Sequence, residues 1–127
     1  MSVGSLVTDY FEAVDSMKTN RVASFFAEDG TQRFGNSAAL IGIDAIKKMY
    51  SEFFESITEI HHEVLAITTG KFLENGERRT IIMVEVSVTY IKKNNSKVIL
   101  TNVVTIRMNK DKIQDFRVFG DPGHIFS

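Results

Sequence analysis

Between Ser5 and Met17 the residues Leu6, Tyr10, Phe11, Val14 and Met17 recur at spacings of three and four, which places them on one stripe of an amphipathic helix. Asn20 can cap a short second helix with Val22, Phe25 and Phe26 on its apolar side, and Gly30 after Glu28-Asp29 reads as its stop. Thr31 to Ile41 reads as irregular or briefly extended, with a turn at Gly35-Asn36-Ser37. A third helix is predicted from about Asp44 to Glu55, with Ile46, Met49, Tyr50, Phe53 and Phe54 inward and Asp44 suited to the positive N-terminal end.

After Ser56 the apolar period changes to two, and four strands are predicted: Glu59–Thr68, Arg79–Ile91, Val98–Met108 and Lys112–Phe119. Asn75-Gly76, Lys93-Asn94-Asn95-Ser96 and Asn109-Lys110-Asp111 are short connections with turn chemistry, so the sheet should be mainly antiparallel. Helices set apart from such a sheet define an α+β class, and the helices must cover one sheet face to bury their stripes. Along Arg79–Ile91, Ile82, Val84, Val86, Val88 and Tyr90 share one side, which reads as a packing or subunit face. Ile81, Met83, Glu85, Ser87 and Thr89 share the other; polar groups on an otherwise apolar side must be satisfied somewhere, and this side is read as lining a pocket.

The 127 residues fit one domain, and 43% hydrophobic with 24% charged residues is a globular composition. Fifteen Lys+Arg against sixteen Asp+Glu leave no basic excess for a phosphate backbone, which excludes nucleic acid as the expected partner. The absence of Cys removes disulfides, thiolate nucleophiles and thiolate metal sites. Asp9, Glu12 and Asp15 interrupt any apolar leader, and no apolar run reaches the roughly 20 residues of a membrane span, so a soluble, cytoplasmic protein is expected. No glycine-rich phosphate loop, Gly-x-Ser-x-Gly elbow or metal-ligand spacing is present, and no cofactor is expected. His61 and His62 are strand neighbours whose side chains point to opposite faces, so at most one of them lines a pocket; His124 is expected at the surface.

The segments Phe26-Ala27-Glu28-Asp29-Gly30, Gly42-Ile43-Asp44-Ala45-Ile46 and Arg117-Val118-Phe119-Gly120-Asp121, in that order and spacing, resemble the SnoaL-like, nuclear-transport-factor-2-like superfamily over nearly the whole chain. The resemblance implies a conical α+β barrel in which a curved, mainly antiparallel sheet wraps three N-terminal helices. It also implies a homodimer and a deep pocket for a small hydrophobic or cyclic molecule. Relatives include ketosteroid isomerases, polyketide cyclases, scytalone dehydratase, limonene epoxide hydrolase and non-catalytic binding or dimerisation domains, and fold alone does not choose among them.

Carried over residue by residue, Tyr10 takes the place of the isomerases' oxyanion-binding Tyr, whereas Phe34 and Val104 stand where their general base and oxyanion-hole acid would be. Asp121 matches the water-activating Asp of the epoxide hydrolases, and Glu85 and Ser87 fall at their strand Arg/Asp pair. The dehydratase pattern of a His–Asp pair with Tyr residues has no placed His. The expected catalytic residues are therefore Glu85, Asp121 and Tyr10, with a carboxylate moving a proton and the Tyr10 hydroxyl donating to developing oxyanion charge. Phe34, Met83, Ser87, Val104 and Phe119 are the expected ligand contacts. Two functions remain open on this reading: a cofactor-free isomerase, cyclase, dehydratase or hydrolase, and a binding or dimerisation module without chemistry.

Overall fold

The computed structural model describes residues 2–120. Helix α1 spans Val3–Asp15, and its first turn is capped by the Ser2 hydroxyl, which accepts from the Ser5 backbone N–H at 3.1 Å. Its buried stripe is Leu6, Val7, Tyr10, Phe11, Ala13 and Val14. Helix α2 is only Thr19–Ala23, and strand β1 begins at Phe26 and runs to Phe34. The sequence expectation of a helix continuing through Phe26 to a stop at Gly30 is thus corrected. Gly30 lies within β1, where an added Cβ would sit 2.9 Å from the Ala27 carbonyl oxygen and 3.1 Å from that of Ile113. Its role is this close approach of backbone, at a register shift in β1.

Strand β2 is the short Leu40–Ile41, and α3 is Ile43–Ser56, entered through Gly42 at φ 91°, a conformation that favours glycine. Ile46, Tyr50 and Phe54 form its buried stripe. Strands β3 (Ile57–Glu74), β4 (Glu77–Lys92), β5 (Lys97–Asn109) and β6 (Lys112–Phe119) form an antiparallel meander longer than the sequence pattern outlined. Asn75 and Gly76, with φ of 53° and 78°, close the β3–β4 hairpin with the positive φ values that a tight hairpin turn demands.

The strand order is β2-β1-β6-β5-β4-β3, with β1 parallel to β6 and every other pair antiparallel. The sheet is mixed and open rather than a closed barrel, with β2 and β3 as its edges.

The two sheet faces are the reverse of the sequence expectation. Val84, Val86, Val88 and Tyr90 are buried in the core that also holds the helical stripes, whereas Met83 and Glu85 are exposed. The helices bring enough apolar area to cover the uniformly apolar side, and covering it keeps Glu85 hydrated. Cross-strand register places Val103 beside both Glu85 and Phe119, so these three share the outer face.

Candidate functional site

A cavity of about 380 Å³ lies between the inner sheet face and helices α1 and α3. This is within the range of about 300–1,000 Å³ typical of small-molecule sites. Its walls are largely apolar: Phe11 and Val14 from α1, Phe53 from α3, Val86 and Val88 from β4, and Phe116 from β6.

Polar residues interrupt that lining, and the first group is a linked set. The Tyr10 hydroxyl on α1 is hydrogen-bonded to the Tyr50 hydroxyl on α3, and Gln32 Nε2 on β1 donates to Tyr50 Oη at 3.1 Å. Helical spacing turns both tyrosines inward, and the parallel β1–β6 pairing sets Gln32 beside Phe116 on the inner face. Burial pushes the Tyr10 hydroxyl well above its usual pKa of 10.0, with the neighbouring Tyr50 adding to the rise. Burial also raises that of Tyr50, against the hydrogen bonds from Tyr10 and Gln32, which lower it. Both are therefore protonated donors at neutral pH.

The second group is His62 on β3, whose Nδ1 lies 2.6 Å from Asp15 Oδ1 and whose backbone N–H donates to Asp15 Oδ2 at 2.9 Å. Phe11 stacks on the imidazole, with ring centroids 4.7 Å apart and planes at 24°. In the tautomer whose Nδ1–H donates to the carboxylate, Nε2 is an acceptor, and stacking on Phe11 fixes the ring's orientation. His61 points the other way: its side chain is 77% exposed, with Nδ1 3.6 Å from Asp15 Oδ2. The other polar residues in the lining are Asn102 on β5, Tyr90 on β4 and the Glu52 and Ser56 pair near the end of α3.

Of the residues expected from sequence, Tyr10, Phe34 and Val104 line the cavity together. Glu85, Met83 and Ser87 do not, because they stand on the opposite face of β4 from the cavity-lining Val86 and Val88. Phe119 is 40% exposed on that same outer face, with the Arg117 guanidinium 4.7 Å from its ring. Asp121 and His124 lie outside the described residues. Sequence reasoning missed Asp15, Gln32, Tyr50 as a polar group, and His62 as the inward histidine. One local signal was present: Asp15 ends α1, where the helix dipole disfavours an acid, so a partner is needed to hold it there.

Among the described residues no group of three or more His, Asp or Glu side chains could hold a metal, and no helix is long and apolar enough to cross a membrane.

The model of the SnoaL-like domain family matches residues 7–116, and the chain belongs to that family. Solved structures share its fold, an α+β cone of the nuclear-transport-factor-2-like type. A candidate scytalone dehydratase from Novosphingobium aromaticivorans superposes with a TM-score of 0.78 at 18% identity, covering 94% of this chain and 81% of that one. A protein of ketosteroid-isomerase-like fold from Catenulispora acidiphila, in complex with trimethylamine, gives 0.73 at 15% identity over 92% and 85%. An LEH-like epoxide hydrolase of M. tuberculosis gives 0.74 at 11% identity over 96% and 84%. At these identities the likeness establishes the fold. No curated protein matches the chain.

Proposed function

We propose that the protein is a cofactor-free enzyme that binds a small, largely apolar cyclic molecule in the cavity and moves a proton on it. His62 is the general base, Asp15 holds its tautomer, and the Tyr10–Tyr50 pair donates to the substrate oxygen. The observation that carries this reading is that Tyr10, Tyr50 and His62 line the same apolar cavity, His62 being backed by Asp15. In the reaction class that suits them, His62 Nε2 takes a proton from the carbon next to a carbonyl. The electron pair moves onto the oxygen, where a tyrosine O–H stabilises it. The imidazolium then returns the proton to the γ-carbon of a β,γ-unsaturated ketone, shifting the double bond into conjugation, or protonates a departing β-hydroxyl as the enolate collapses, giving water and an enone.

The reading is tested by incubating the protein with cyclic ketones and β-hydroxy ketones in deuterated water. Binding should raise the melting temperature, and mass spectrometry should detect deuterium uptake or loss of water. His62→Gln should slow the reaction by roughly 10²–10⁴-fold while binding is retained. Binding without exchange or elimination by the native protein would refute the catalytic reading and leave a binding module.

The same proposal includes a homodimer formed through the outer sheet face, supported by the exposed apolar side chains Met83, Val103 and Phe119 there.

A further inference from the structure

Among the described residues that line the cavity, Glu52 is the one Asp, Glu, Lys or Arg. The chain holds fifteen Lys and Arg, yet none reaches that lining. Glu52 is exposed and so stands at the opening, whereas Tyr10 and Tyr50 are buried within. Among the described residues it forms no ion pair, although Lys48 is one helical turn before it on α3. The helices reinforce the sign. Helix α1 ends at Asp15 and α3 at Ser56, and their last two turns line the cavity, through Phe11 and Val14 and through Glu52, Phe53 and Ser56. Neither has a basic residue in its last turn, so the partial negative charge of each C-terminal end is not offset there. His62, the one lining group able to become a cation, is matched by the Asp15 carboxylate behind it. The field at the opening is therefore negative.

Seven of the lining residues are Phe or Tyr, and the faces of such rings attract a cation and repel an anion. Phe53, the neighbour of Glu52 in the chain, packs edge-to-face with Tyr90 at 6.1 Å, and both rings line the cavity. From this charge pattern we infer that the ligand carries a protonated amine, which sits at the opening against Glu52 and the rings beside it while the apolar ring of the ligand goes inward. A carboxylate in the same place is refused. Resting on the cavity reading under Proposed function, the substrate class narrows to rings that bear an amine, and Glu52 becomes the residue that selects them. At the opening the ammonium keeps part of its water, so its desolvation costs little.

The experiment measures dissociation constants by calorimetry, near neutral pH and at low salt, for three probes built on one bicycle: 2-(aminomethyl)naphthalene, 2-(hydroxymethyl)naphthalene and 2-naphthoate. The amine should bind about fivefold or more tightly than the alcohol, since an exposed ion pair and a cation–ring contact are each worth a few-fold, and about tenfold or more tightly than the naphthoate. Molar salt should shrink that preference, because charges are then screened beyond about 3 Å. Glu52→Gln, an exposed change of nearly the same shape, should lower the amine-to-alcohol ratio about threefold and leave the constant for the alcohol as it was. Equal affinity for amine and alcohol, a preference for the naphthoate, or an amine preference that neither salt nor Glu52→Gln reduces would each overturn the inference. With the alcohol still bound, all three results leave the catalytic reading standing. A preference for the amine without exchange or elimination on amino ketones sinks catalysis and keeps the inference. Failure of all three probes to bind would overturn both.

Discussion

Removing Asp15 tests the dyad without any substrate. Asp15→Ala deletes the acceptor of two hydrogen bonds, at 2.6 Å from His62 Nδ1 and 2.9 Å from the His62 backbone nitrogen. Hydrogen bonds to a charged partner contribute roughly 1.5–3 kcal/mol each, and a stranded buried N–H costs about 1–3 kcal/mol. Two effects reduce the sum. The carboxylate is 20% exposed, so water can replace part of what is lost, and the helix C-terminus is relieved of an unfavourable charge worth about 0.3–1 kcal/mol. The net expectation is a loss of about 2 kcal/mol, near 8 °C in melting temperature at roughly 4 °C per kcal/mol for a domain of this size. Urea titration followed by circular dichroism should show the midpoint fall with an unchanged slope. Asp15→Asn, which keeps an acceptor for the backbone N–H, should lose about half as much. A loss below about 0.5 kcal/mol for the alanine variant, the level of an ordinary surface change, would show that Asp15 does not hold His62.

High pH should destabilise the fold through the buried tyrosines, because folding raises their pKa values above 10.0. Below pH 10 they are protonated in both folded and unfolded chains. Above it the unfolded chain releases protons that the native one retains, so stability falls by about 1.4 kcal/mol per pH unit for each tyrosine. Urea midpoints between pH 9 and 11.5 should fall less steeply for Tyr10→Phe, and equal slopes would contradict the burial of Tyr10. On β4, Val84→Asp places an unpaired carboxylate at a fully buried site and should abolish the cooperative transition, by a loss above about 4 kcal/mol. Met83→Asp on the outer face should keep the native circular dichroism and shift sedimentation to the monomer; an unchanged dimer would move the contact elsewhere.

The helical stripe of α1, the inward face of α3 and the four meander strands were legible because each rests on a local periodicity. Strand β1 was not. Ala27-Glu28-Asp29-Gly30 has little strand propensity and forms the irregular stretch between the Phe26–Ile113 and Thr31–Asp115 pairs, so it is held extended by the β6 pairing on either side of it. The faces of β4 were misassigned for a different reason. Both sides carry large apolar residues, and Glu85 and Ser87 were taken for pocket groups when the plain rule of polar-out alternation places them in solvent. Tyr10, Phe34 and Val104 reached the cavity through family position, whereas Asp15 and His62 are 47 positions apart and nothing local couples them.

The parallel β1–β6 pair also governs the order in which the molecule can be built. Thr31 and Asp115 meet across 84 positions, so the strand bearing Gln32 has only the short β2 beside it until the whole meander has been made and β6 can pair. Closing so long a loop is entropically slow, and until it closes the N-terminal helices have no completed sheet to settle on. Nascent chains in which residues 112–119 have not emerged should accordingly be captured by chaperones and cut by proteases, and those extended far enough for these residues to clear the ribosome should resist both.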